Sequence, residues 1–106
     1  MKETPHPPSH LEEATAAWFV SVVEEFELDA HHVRLLTLAC ESWDRCQQAR
    51  EILAKEGLTF TDRLGTPRAR PEVGIERDCR ISFARLVREL GLDSAPEASR
   101  PPALRR

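Results

Sequence analysis

The feature that most constrains this chain is a continuous helical stretch from Ala30 to about Glu56. Asp29 precedes it as an N-cap residue, and Gly57 follows it as a C-terminal stop. At 1.5 Å per residue the helix is about 40 Å long, which exceeds the width of a compact domain of this size. We therefore expect part of this helix to project beyond the shorter helix that pairs with it in a helical hairpin, and to meet another subunit.

A shorter helix is predicted before the long one. Its start is indicated by a capping box, in which Ser9 and Glu12 satisfy each other's backbone N–H groups. Apolar residues then recur at helical spacing, namely Leu11, Ala14, Trp18, Phe19, Val22, Val23 and Phe26. Because only a very short turn separates this helix from Asp29, the two helices are expected to form an antiparallel hairpin.

The second half of the chain predicts a short β-hairpin and a third helix. Residues 58–61 alternate apolar and polar, and residues 66–70 can return as a second strand after a turn that contains Gly65. Pro71 opens an amphipathic helix that Gly91 ends. The expected fold is therefore mainly α, with an antiparallel helical hairpin, a long second helix, a short β-hairpin and a third amphipathic helix.

Prolines and cysteines indicate the boundaries and the compartment. Six of the eight prolines lie near the ends, which predicts disordered tails at residues 1–8 and 93–106 and a single domain at 9–92. The chain has no apolar run long enough to span a membrane, and its first residues do not resemble a signal peptide. Three cysteines without CxxC spacing fit a reducing compartment, so we expect a cytoplasmic protein.

The net charge of −3 hides an uneven distribution. Residues 1–53 contain 4 Lys/Arg and 10 Asp/Glu, whereas residues 54–106 contain 11 Lys/Arg and 8 Asp/Glu. This asymmetry points either to a nucleic-acid-binding face in the second half or to subunits that meet acidic side to basic side. Thirteen of the fifteen basic residues are arginine, whose forked guanidinium suits both phosphate and carboxylate.

The densest basic cluster falls on the predicted β-hairpin and third helix. Its seven arginines are the candidate DNA-binding residues: Arg63, Arg68, Arg70, Arg77, Arg80, Arg85 and Arg88. Two alternatives stay open, a solvated helix face paired with nearby acids and salt bridges to the acidic half of another subunit. Apolar stripes on the long helix and β-branched residues among the arginines predict an oligomer interface at Trp43, Cys46, Leu53, Val73 and Ile81.

Motifs for catalysis or ligand binding are missing from the sequence. The four glycines form neither GxxxxGK nor GxGxxG, so a nucleotide cradle is not predicted. His31 and His32 are adjacent and point about 100° apart on a helix, which disfavours a shared metal. We therefore expect no enzymatic activity, no metal, no cofactor and no small-molecule substrate.

The ordered series of features resembles the small terminase subunits of tailed bacteriophages, in their short form. The similarity runs from about Leu11 to Leu92, most of the predicted domain. Its elements are Leu11-Glu12-Glu13-Ala14 with Trp18, Leu28-Asp29, Leu35-Leu36, Cys40, Leu53 to Gly57, the hairpin with Gly65, Pro71, and Leu90-Gly91-Leu92. Many relatives carry a longer basic N-terminal arm, whereas residues 1–9 here are short and contain only Lys2. The segment from Asp93 to Pro96 is only loosely similar.

This resemblance implies a non-enzymatic component of viral genome packaging. Such proteins assemble into homo-oligomeric rings, bind the double-stranded viral DNA, and deliver it to the large terminase subunit, whose ATPase and nuclease they modulate. Because the N-terminal arm is short, DNA contact is expected at the hairpin and third-helix arginines, or at the tail arginines Arg100, Arg105 and Arg106. The alternative from another class is a helical adaptor that binds only protein and has no DNA contact.

Overall fold

The computed structural model describes residues 4–92. Within that range the chain forms three helices and one two-stranded antiparallel sheet, in the order α1 (Glu13–Glu25), α2 (Ala30–Glu56), β1 (Thr59–Thr61), β2 (Pro67–Ala69) and α3 (Pro71–Leu90). The prediction of a mainly helical fold with a short β-hairpin and a third helix is confirmed. Residues 4–12 contain neither helix nor strand, and the predicted tail at 93–106 lies outside the described residues.

The long helix α2 packs mainly against α3. The two helices run antiparallel, since Cys46 of α2 contacts Glu76 near the start of α3, and Trp43 contacts Phe83 further along it. Asp44 already lies beside the start of α1, so the C-terminal part of α2 does extend beyond its hairpin partner α1, as predicted. It is nevertheless covered within the chain, because α3 packs along it. The β-hairpin between the helices reverses the chain and lays α3 along that part of α2, where Ala49 is buried.

The core lies where α1 packs onto the N-terminal half of α2. Phe19, Leu36, Ala39 and Cys40 are fully buried there, and Leu90 of α3 closes the cluster. Burying a leucine or phenylalanine side chain contributes roughly 1.5–3 kcal/mol. Most of this core comes from the two helices that the sequence pairs through a short turn, so α1 and α2 do pack together as expected.

An aspartate of α2 caps the start of α1. The helix begins at Glu13 and its N-cap side chain makes no capping hydrogen bond, so the predicted capping box at Ser9 and Glu12 is wrong. The backbone N–H of Glu12 donates to Asp44 Oδ2 at 2.9 Å, and the Thr15 hydroxyl donates to Asp44 Oδ1 at 2.5 Å. The buried face of α1 therefore includes Thr15, which contacts Asp44, together with Phe19 and Val22.

Asp62 organises the turn of the β-hairpin. Its Oδ1 accepts the backbone N–H groups of Leu64 and Thr66, both at 2.9 Å, and its Oδ2 accepts Nε of Arg68 at 2.9 Å. Hydrogen bonds from the Thr66 backbone, and then from Arg68, hold the pKa of Asp62 below its ordinary value. Gly65 adopts a φ of 80°, a conformation that favours glycine.

The β-hairpin extends beyond the ends of α2 and α3. Its two three-residue strands are exposed throughout, with Phe60 paired to Arg68 in the register. The Arg70 backbone N–H donates to the Leu58 carbonyl at 2.9 Å, and Arg70 Nε donates to the Glu56 carbonyl at 3.3 Å. These bonds attach the base of the hairpin to the end of α2 and leave its turn in solvent.

Candidate nucleic-acid interface

Four of the seven candidate arginines pair with acids of the same chain. The pairs and their N–O distances are Arg68–Asp62 at 2.9 Å, Arg70–Glu56 at 4.0 Å, Arg77–Asp78 at 3.3 Å and Arg80–Glu76 at 3.2 Å. Exposed ion pairs contribute only about 0–1 kcal/mol, so such a pair is easily exchanged for a phosphate. Arg70 differs because its side chain is three-quarters covered and also binds the Glu56 carbonyl. Arg70 therefore attaches the base of the β-hairpin to the end of α2.

The other three arginines, Arg63, Arg85 and Arg88, are exposed. Within residues 4–92 none of them has a carboxylate within 4.0 Å. Arg63 lies in the turn of the β-hairpin, whereas Arg85 and Arg88 lie near the C-terminal end of α3. Since α3 ends with its negative pole there, both arginines are also favourably placed toward the helix dipole.

Three arginines of α3, namely Arg80, Arg85 and Arg88, lie on one surface of the helix, which we call the basic face. A shallow groove on it is lined by Arg80, Ile81, Ala84, Arg85 and Arg88. The residues from 80 to 88 span about 12 Å along the helix axis. Double-stranded DNA carries one negative charge per roughly 1.7 Å of its axis, so the basic face can meet several phosphates at once.

Glu76 fixes the orientation of this helix against α2. Its Oε2 accepts Arg50 Nε and Arg80 Nε, both at 3.2 Å, and lies 3.4 Å from the Cys46 thiol. Burial alone would raise the pKa of Glu76, but the hydrogen bonds from Cys46, Arg50 and Arg80 outweigh it and hold the pKa below its ordinary value. Arg80 is thereby held at one edge of the basic face by an acid, whereas Arg85 and Arg88 extend beyond it.

The five residues predicted for an oligomer interface lie in different environments. Cys46 is 3% exposed inside the α2–α3 contact, which accounts for its place in the apolar stripe. Trp43 is 42% exposed, and its ring lies 5.0 Å from that of Phe83. Ile81 is 46% exposed and lies on the basic face, while Leu53 and Val73 are half-buried.

The structure adds residues that the sequence pattern did not select. Leu64, at the turn of the β-hairpin, is 89% exposed, the most of any large apolar residue described. Nothing in the local sequence marks it, because a leucine in a turn has no periodicity. Asp44, which caps α1, had only a weak indication in the sequence: it is an acid next to Trp43 within the apolar pattern of a long helix.

The possible ligands of a metal ion come together at the start of α2. Donor atoms of Asp29, His31 and His32 lie within 4.8 Å of one another, and the two imidazole rings are 4.0 Å apart. However, His32 Nδ1 accepts the Asp29 backbone N–H at 3.1 Å, and the positive pole of a helix repels cations. The arrangement is that of a helix N-terminus, and we assign Asp29 and His32 a capping role.

Comparison with known proteins identifies the class. A family model described as phage terminase, small subunit, matches residues 19–101, which is most of the chain. The match places the chain among the proteins of phage DNA packaging. Within that class it belongs to the terminase small-subunit family, as the resemblance in its sequence had indicated. No curated protein and no solved structure shows significant similarity to it.

No helix among residues 4–92 combines the length and the apolar character needed to span a membrane.

Proposed function

We propose that this chain binds the double-stranded DNA of a phage genome and delivers it to the large terminase subunit, modulating the ATPase and nuclease of that partner. The observation that supports DNA binding is the basic face of α3. Its two outermost cations, Arg85 and Arg88, are exposed and have no acidic partner among the described residues. In a chain with a net charge of −3, such a face is the surface best suited to a polyanion.

The mechanism is one of positioning. Guanidinium groups bind phosphate oxygens in a forked geometry, which gives affinity and orientation but no direct base recognition. Copies of the chain arranged in a ring would add many such weak contacts, so total affinity exceeds that of one copy. Sequence preference would then come from the shape and deformability of the DNA. Terminase small subunits are typically regulatory, so in this scheme the chemistry of packaging is performed by the large subunit.

The DNA contact is tested by fluorescence anisotropy with a labelled duplex. The variant Arg85→Gln/Arg88→Gln is compared with Arg34→Gln/Arg45→Gln, which removes two exposed positive charges from α2 instead. We expect the first variant to bind at least about tenfold more weakly, because each charge-assisted contact contributes about 1 kcal/mol or more. The second variant should retain most of the affinity.

The same titration separates the proposal from the alternative function. A wild-type chain that does not bind duplex DNA even at low salt would contradict DNA binding and favour a helical adaptor that contacts only protein. An equal loss of affinity in both variants would contradict the assignment to the basic face, since it would reflect overall charge alone.

Delivery to the large subunit is tested by the ATPase rate of that partner with and without DNA. The wild-type chain is expected to change the DNA-dependent rate, whereas Arg85→Gln/Arg88→Gln is expected to leave it at the value measured without the small subunit. A rate that is the same with and without the wild-type chain would contradict this part of the proposal.

A further inference from the structure

An apolar groove opens where the three helices meet. It has a volume of about 330 Å³ and is lined by Ala14, Thr15, Trp18, Trp43 and Phe83. The indole rings of Trp18 and Trp43 both lie near Phe83, with ring centroids 6.0 Å and 5.0 Å from it. This space equals that of about ten water molecules, yet its walls are almost entirely aromatic or aliphatic. A surface of this kind is typical of a docking site.

The rim of the groove is acidic on one side. The groove continues into a more polar depression that is lined by Glu12 and Glu51 as well as by two glutamines. Both glutamates are exposed, and within residues 4–92 neither forms a salt bridge. The occupant that fits this surface is an apolar side chain next to a cation.

The turn of the β-hairpin carries this combination. Leu64 is 89% exposed, and Arg63 beside it is also exposed with no carboxylate within 4.0 Å in the described part of the chain. Asp62 holds the turn in one conformation through the Leu64 N–H, so the pair is presented on a preorganised loop. Arg63 and Leu64 lie next to each other in sequence, as the groove requires of a cation and an apolar group.

The turn cannot reach the groove of its own chain. Trp43 is about 20 Å from the end of α2 at 1.5 Å per residue, and the β-hairpin extends further in the same direction. The complementary groove is therefore that of a second copy. Because the turn and the groove are different surfaces, the contact is heterologous, and repeated head to tail it closes into a ring when the rotation allows.

We propose that Leu64 of one copy inserts into the apolar groove of the next copy, with Arg63 beside Glu12 and Glu51 of that copy. This inference rests on the ring assembly proposed above and specifies its contact. It also assigns the turn arginine to subunit assembly, which leaves DNA binding to the basic face of α3. The acidic first half and the basic second half of the chain meet in this contact.

Two variants that each disable one side of the contact provide the test. Leu64→Asp removes the inserted side chain, while Ala14→Arg fills the groove and repels Arg63. By light scattering coupled to size-exclusion chromatography, each variant alone is expected to be monomeric. An equimolar mixture should form a dimer of twice the chain mass, because one intact turn and one intact groove remain. Leu38→Asp, at a 51% exposed position on α2, is the matched control and should assemble like wild type.

Tryptophan fluorescence reports on the groove itself. The chain has two tryptophans, Trp18 and Trp43, and both line the groove. Assembly of wild type with rising concentration should shift their emission to shorter wavelength, since insertion of Leu64 excludes water from the rings. The Leu64→Asp variant should show no shift. Unchanged circular dichroism of the variants establishes that they remain folded.

The possible outcomes distinguish the two proposals. A wild-type chain that stays monomeric at tens of micromolar overturns the ring. Assembly of Leu64→Asp to the wild-type mass leaves the ring in place but overturns this contact, as does a mixture of the two variants that stays monomeric. Emission that does not change while the mass rises means that another segment, such as residues 93–106, fills the groove, and it also overturns the contact.

Discussion

Replacement of Asp44 by alanine is expected to destabilise the attachment of α1 to α2. Asp44 is 7% exposed and accepts hydrogen bonds from the Glu12 backbone N–H and from the Thr15 hydroxyl. In Asp44→Ala the hydroxyl, on a residue only 5% exposed, loses its partner inside the protein. Hydrogen bonds to charged groups contribute about 1.5–3 kcal/mol each, and the N–H can still find water. We therefore predict a loss of about 2–4 kcal/mol in the free energy of unfolding.

The assay is urea unfolding followed by circular dichroism at a fixed protein concentration, because assembly would make stability depend on concentration. The control is Glu41→Ala, which removes a more exposed acid from the same helix and its contact with His10. The control should lose less than about 1 kcal/mol. In a Thr15→Val background the cost of Asp44→Ala should fall, since the buried hydroxyl is gone. A loss for Asp44→Ala no larger than that of Glu41→Ala would refute the capping role.

Three further predictions concern the turn, the thiols and the core. The pKa of Asp62 is lowered in the folded chain, so its support of the turn is present above the ordinary pKa of aspartate and is lost as pH falls through the lower folded value. Amide chemical shifts of the turn should therefore move at that acidic pH in wild type, but not in Asp62→Asn. Burial, together with nearby carboxylates, raises the pKa of Cys40 to about 12, so mass spectrometry after iodoacetamide treatment at pH 8 should find it unmodified after the half-buried Cys79 has reacted. Phe19→Ala should cost about 3–5 kcal/mol in urea unfolding, whereas an equal cost for the 39% exposed Phe60 would contradict the assignment of the core.

The parts of the fold that depend on local chemistry were predictable from the sequence. The bounds of α2 follow from an N-cap aspartate and from Gly57, and the end of α3 follows from Gly91, because stop signals act within a few residues. The cap of α1 was not predictable, since Asp44 lies 32 residues from Glu12 and reaches it only after the helices pack.

The pairing of helices also depends partly on local sequence and partly on packing between distant residues. A short turn favours contact between α1 and α2, and that contact exists. The larger contact between α2 and α3 depends on the β-hairpin, whose length and direction determine where α3 returns. Sequence periodicity gives the apolar arc of each helix but not its neighbour, so the covered C-terminal half of α2 was missed.

For the candidate site, the sequence identified the arginines but not their partners. The sequence placed Arg77, Arg80, Arg85 and Arg88 on the predicted third helix as candidate DNA-binding residues, and all four are exposed on α3. Their acidic partners are determined by contacts between long side chains, which the sequence shows only in part. The attachment of Arg80 to Glu76 at one helical turn is readable from sequence, but the additional bond from Arg50 is not.

The central claim, that the basic face of α3 binds DNA phosphates, is tested most directly by the salt dependence of duplex binding. The logarithm of the binding constant is measured against the logarithm of salt concentration for wild type, Arg85→Gln/Arg88→Gln and Arg34→Gln/Arg45→Gln. Removal of two phosphate contacts per bound subunit should reduce the magnitude of the slope by at least about 1.8 in the first variant, because each contact contributes about 0.9. The slope of the second variant should equal that of wild type. A first variant with an unchanged slope would contradict phosphate binding by the basic face.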